Sequence, residues 1–157
     1  MKKGLFILFV VLSLPAVAQT ATKQSNPKAA KAIHSDAAPP AKGPYSQGVE
    51  AHGSRMFFLS GQTARDPKTG ELVTGDIAAQ TERVMENLKA VLSAAGLDFS
   101  HVVRCTLFLT DMVDFAKVNE VYGRYFTGIP PARTTVQIAA TPTKGAKVEI
   151  DAIAVSE

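Results

Sequence analysis

The chain of 157 residues has one cysteine, Cys105, and no tryptophan. One thiol excludes an internal disulfide and a Cys-rich zinc site. The three histidines, His34, His52 and His101, have no paired-ligand spacing to replace it. No apolar run reaches the roughly 20 residues that a membrane-spanning helix needs; the longest, Gly4 to Leu14, has eleven. The turn around Gly70 and Gly75 lacks the Lys-Ser/Thr of a phosphate loop, and no Ser-His-Asp set can be assembled. An excess of positive charge on the folded part is missing as well. The formal charge is +3, but Lys2 and Lys3 stand at the very start, and Lys23, Lys28, Lys31 and Lys42 face the single acid Asp36 before Gly43. From Gly43 onward eleven Lys/Arg face thirteen Asp/Glu, a net −2. That balance argues against a basic nucleic-acid surface.

What is present begins with a leader pattern. Met1-Lys2-Lys3 precedes the apolar run, Pro15 closes it, and Ala16-Val17-Ala18 supplies a small-x-small cleavage site. Residues 1–18 are therefore expected to be a signal peptide and the mature protein to be periplasmic. No cysteine follows the run, so no lipid anchor and no stable membrane attachment is expected after cleavage. Residues 19–32 are rich in Ala, Lys, Thr, Gln and Ser without a hydrophobic period, which predicts a flexible tail. The folded domain is expected over residues 33–157.

Within it, Gln47 to His52 and Met56 to Leu59 read as two strands joined at His52-Gly53-Ser54, a hairpin. Ile77, Thr81, Val84, Leu88, Val91 and Ala95 form one helical stripe, with Asp76 as N-cap and Gly96 past the C-terminus. Val102 to Leu109 alternates with apolar residues on both faces, Val103, Cys105, Leu107 and Leu109 on one and Val102, Thr106 and Phe108 on the other. A central strand follows. Phe115, Val118, Tyr122 and Tyr125 mark a second helix over 113–126, ended by Gly128, Pro130 and Pro131. Thr134 to Ile138 and Lys147 to Val155 are the last strands, with a further short one near Glu71 to Val73. Two one-faced helices on one mixed sheet predict a two-layer α/β sandwich. The sheet's second, partly apolar face then calls for a partner, most simply another copy of the chain.

Cys105 lies mid-strand among apolar neighbours and reads as a buried, inert thiol. Arg133 and Glu149 stand out because each is charged and sits in a strand. A strand-borne guanidinium can hold a carboxylate by two parallel hydrogen bonds, and a carboxylate can orient or deprotonate a water. From spacing alone a structural salt bridge, or two unrelated surface charges, is the better reading of the pair. If the last two strands form a hairpin centred near Thr143, Arg133 lies opposite Ile153. Glu149 is then on the same face, roughly 13 Å along the strand.

Five segments in order resemble one family: Gly43-Pro44-Tyr45-Ser46-Gln47-Gly48; Ser60-Gly61-Gln62; Asp114 to Tyr122; Pro131-Ala132-Arg133-Thr134-Thr135-Val136; and Val148 to Ala154. The pattern is similar to that of the Rid (YjgF) family of reactive intermediate deaminases and covers about residues 33–155. The resemblance implies a chorismate-mutase-like fold. It also implies a homotrimer whose sheets meet in a central barrel, with ligand clefts between subunits. It further implies hydrolysis of 2-aminoacrylate and 2-iminopropanoate to a 2-keto acid and ammonia, without metal or organic cofactor. Arg133 would then bind the substrate carboxylate and Glu149 would orient the attacking water. Tyr45, Ser60, Gly61, Asn119 and Thr135 would line the pocket. Thr141-Pro142 and the loop 143–146 depart from the family pattern at what would be the pocket rim. The other reading is a trimer of the same fold that binds small carboxylates without turnover. The −2 domain charge weighs against a ribonuclease, and a closed trimer would offer no apolar surface to a client protein.

Overall fold

The computed structural model describes residues 30–157. The expected signal peptide and most of the expected tail lie outside the described residues. The elements are strands β1 (Ala30–Ile33), β2 (Gly48–Ala51) and β3 (Arg55–Gln62), helix α1 (Ile77–Ala94), strand β4 (Val102–Leu109), helix α2 (Phe115–Gly123), and strands β5 (Ala132–Gln137) and β6 (Val148–Ser156). One-turn 3-10 helices precede β4 and α2. A four-stranded mixed sheet runs in the order β3-β6-β4-β5. Both helices pack on one of its faces, as expected for a two-layer α/β sandwich. Among the described residues no helix is long and apolar enough to cross a membrane.

Helix α1 starts where Asp76 accepts a hydrogen bond from the backbone N–H of Ala79 at 2.9 Å, and Gly96 takes φ +75° beyond its end. Its buried stripe is Ile77, Gln80, Thr81, Val84, Met85, Leu88 and Leu92. The expected stripe drifts off line at its end: Val91 is 42% exposed, and Leu92 is buried in its place. The second helix is shorter than expected. Asp111 caps a 3-10 turn by accepting from the N–H of Val113, and α-helical geometry begins only at Phe115.

The sheet pairing departs from expectation in three ways. First, β2 pairs with β1, antiparallel, and not with β3. The partner of β3 is β6, because Phe57 and Leu59 must face the helices while β6 supplies Ala152 and Ala154 beside them. Strand β1 covers Ala30–Ile33, and Ala30 packs near Val103 and Val155. Second, β5 runs parallel to β4, and β6 is antiparallel to β4 on its other side. The β4–α2–β5 segment is a crossover unit, which delivers a parallel strand. The expected β5–β6 hairpin does not form, since β4 fills the place between them. Third, the β4–β6 register shifts between Val102 and Arg104. That bulge puts Val102 in the helix-side core with Cys105, Leu107 and Leu109, and Val103 on the other face. Near the expected strand at Glu71 to Val73 there is only an isolated bridge, Arg65 with Leu72.

The face away from the helices is partly covered by the β1–β2 hairpin through Ala30 and Val49 on Val103, Ile153 and Val155. Elsewhere it carries bare apolar side chains, Phe58 at 73% and Met56 at 60% exposure. So Met56 to Leu59 is not the fully buried strand that its composition suggests: alternate residues face the core.

Candidate functional site

The first group of site residues gathers at the start of β5. Pro130 and Pro131 end the preceding loop, and Ser46 ties a second loop to it. The Ser46 backbone N–H donates to the Pro131 carbonyl at 3.0 Å, and its hydroxyl donates to the Pro130 carbonyl at 2.5 Å. This anchor sets Tyr45 beside Arg133. The Tyr45 oxygen accepts from the Lys42 N–H at 3.2 Å. Arg133 donates from Nη1 to Asn119 Oδ1 at 2.7 Å. Its guanidinium carbon lies 5.1 Å from the Tyr45 ring centre, 5.1 Å from Tyr122 and 5.6 Å from Phe115. Among the described residues no carboxylate pairs with it. Burial pulls its pKa below the ordinary arginine value, though a guanidinium remains a cation at neutral pH. The guanidinium is thus a half-buried cation held by an amide oxygen and three aromatic rings. Thr135, two residues along β5 and opposite Leu107, has a buried hydroxyl without a hydrogen-bond partner.

The second group lies at β3 and β6. Between Leu59 and Gln62 the β3–β6 register shifts by one residue, which places Ser60 and Gly61 in a bulge. Glu149 lies directly against Gly61: a Cβ there would overlap the Glu149 carboxyl group. The Ser60 carbonyl accepts from Gln62 Nε2 at 3.2 Å. The loop before β6 borders this group. Thr143 and Thr63 share a hydroxyl contact of 3.0 Å, and buried Gln80 accepts from the Lys147 N–H at 2.8 Å and donates to the Gly145 carbonyl at 3.4 Å.

The two groups do not meet within one chain. Arg133 is opposite Cys105 on β4, whose side chain belongs to the helix-side core. Glu149 is opposite Phe108, and its neighbours Val148 and Ile150 fill that core. Glu149 and Arg133 therefore project from opposite faces of the sheet, contrary to the same-face expectation from a β5–β6 hairpin. They are offset by three residues along the strands and two strands across, about 14 Å in all. No direct salt bridge joins them, and the Glu149 group and the Arg133 group lie apart within one chain.

Sequence reasoning did not single out Phe115 and Tyr122 as walls of the Arg133 site. Their spacing with Asn119, four and then three residues, is the one signal that puts all three on one helix face. Cys105, beneath Arg133, is buried as expected, and burial pushes its thiol up to about 12. Among the described residues no group of three or more His, Cys, Asp and Glu could hold a metal ion.

The chain is a two-layer α/β protein with an arginine, free of any carboxylate partner among the described residues, at the start of a parallel strand. The family described as Endoribonuclease L-PSP matches residues 35–156. Protein DfrA of Myxococcus xanthus is 72% identical over 128 residues, 82% of this chain and 97% of that one. A mouse 2-iminobutanoate/2-iminopropanoate deaminase is 47% identical, covering 80% of this chain and 90% of the relative. Among solved structures, the Rid-family protein YyfB of Yersinia pestis superposes with a TM-score of 0.75 at 30% identity, over 81% of this chain and 98% of that one. Escherichia coli TdcF with bound serine gives 0.62 at 43% identity, over 81% and 99%. The chain belongs to the Rid (YjgF) family.

Proposed function

We propose that the protein is an imine deaminase that hydrolyses 2-aminoacrylate and its tautomer 2-iminopropanoate to pyruvate and ammonia. The observation that carries this reading is the Arg133 cage, a cation built to receive one small carboxylate. The 47% identity to a relative named as such a deaminase supports it. In this reading Arg133 fixes the substrate carboxylate, and Glu149 orients a water toward the C=N carbon and moves the proton. Ser60, the Gly61 backbone, Tyr45, Asn119 and Thr135 line the pocket. Imines hydrolyse unaided in water, so orientation plus a placed water is all that the site must add.

The opposite-face placement of the half-sites makes an oligomer part of the proposal. Arg133 of one subunit meets Glu149 of the next, in a homotrimer closed through the sheet faces that carry Phe58 and Met56. Residues 1–18 act as a signal peptide and the trimer works in the periplasm, without nucleic acid or membrane as partner. A second reading is a trimer of the same fold that binds small carboxylates, pyruvate among them, without turnover.

The test is a trapping assay. An amino-acid oxidase generates 2-iminopropanoate from alanine in the presence of semicarbazide, and the protein competes with the trap. Suppression of the semicarbazone by the wild type, lost in Arg133→Ala, is the expected result. No suppression by folded protein that still binds pyruvate would select the second reading.

A further inference from the structure

Helix α2 presents Phe115, Asn119 and Tyr122 on one face, and all three touch the same guanidinium. Of the three rings around Arg133, only that of Tyr122 is wholly buried, at 0% exposure. It is held by Phe126, 4.7 Å away between centroids. Tyr45 stands on a loop, and Phe115 opens the helix. Tyr122 is therefore the wall most fully enclosed by packing. Its hydroxyl has no hydrogen-bond partner of good geometry and lies beside the Cys105 thiol, itself a weak acceptor. The useful part of the residue is the ring face, whose negative quadrupole meets the cation.

We propose that Tyr122 is a positioning residue of the carboxylate site. Its buried ring sets the plane in which Arg133 lies, while Asn119 sets the rotation within that plane by engaging Nη1. Together they hold the guanidinium in one orientation for an incoming carboxylate. The proposal rests on the reading of Arg133 as the carboxylate clamp.

A core tyrosine with no role at Arg133 would also be buried, so the test varies the ring's electrons and keeps its shape. Position 122 is filled with phenylalanine and then with phenylalanines carrying one, two and three ring fluorines, in the assembled protein. Thermal unfolding reports the fold, and calorimetry reports pyruvate binding. Tyr122→Phe is expected to bind pyruvate within about twofold of wild type. Added fluorines are expected to weaken binding stepwise to about tenfold, with KM rising in step and kcat unchanged. A flat series in folded protein, with Arg133→Ala losing pyruvate, would overturn the positioning role and leave the clamp intact. Pyruvate binding that survives in Arg133→Ala would overturn both.

Discussion

Gly61→Ala tests the Glu149 half-site without touching a charged group. In the structure the new Cβ would stand 2.9 Å from Glu149 Cδ and 3.0 Å from Cγ, and nearer still to Oε1. Carbon atoms pack at about 3.5 Å or more, so the carboxyl arm must retreat by at least ~0.6 Å at Cδ and further at Oε1. The backbone does not resist, because Gly61 is not among the positive-φ glycines. The bulky neighbour is the free end of a flexible side chain, so Glu149 turns and the sheet stays. An off-rotamer Glu costs about 0.5–1.5 kcal/mol; replacing Gly by Ala returns about 0.4–1 kcal/mol by restricting the unfolded chain. Stability therefore changes by less than about 1 kcal/mol. Catalysis responds differently: a misplacement of about 1 Å can cost roughly 100-fold. The expected result in steady-state kinetics is a kcat about 100-fold lower with KM and pyruvate affinity near wild type. Wild-type kcat in Gly61→Ala would refute the idea that Glu149, held against Gly61, places the water.

Gln80→Ala removes the buried amide that joins α1 to the Lys147 N–H and the Gly145 carbonyl, and urea unfolding should show a loss of about 1–3 kcal/mol. Asp76→Ala deletes the N-cap of α1 and should cost about 1 kcal/mol by the same measurement. Cys105, its thiol raised to about 12 by burial, stays protonated at pH 8. Iodoacetamide should modify it only on unfolding, and rapid labelling of native protein followed by mass spectrometry would contradict that placement.

Local features of the fold were legible because they rest on short-range physics. Asp76 and Gly96 bracket α1 because an Asx side chain and a left-handed glycine solve the orphan-group problem at helix ends. The limits of β4 follow from eight β-favouring residues between turn signals. Strand pairing was not legible, because it is decided by contacts far apart in sequence. Reading β5 and β6 as a hairpin assumed that neighbours in sequence pair, whereas the crossover through α2 puts β5 parallel to β4 and leaves β6 on the far side. That single difference moved Glu149 to the opposite face from Arg133. A bulge at Val103 likewise reversed the faces of the first residues of β4, and nothing in an apolar run announces a bulge. In the structure Arg133 touches Asn119 and Tyr45, residues far apart in sequence that no spacing rule joins. Phe115 and Tyr122 fell on the apolar stripe of α2, and the period alone does not say that the edge of that stripe overhangs an arginine.

The proposed site needs two chains, Arg133 from one and Glu149 from another. Subunit complementation tests it most directly. Arg133→Ala and Glu149→Gln are each expected to be inactive alone in the semicarbazide assay. Co-expressed in equal amounts and assembled at random, they place an intact Arg133 beside an intact Glu149 at one interface in four. In a cyclic trimer this restores about a quarter of wild-type turnover. Recovery near that level is the predicted result; a mixture as inactive as its components, with mixed trimers verified by mass, would contradict the two-chain site.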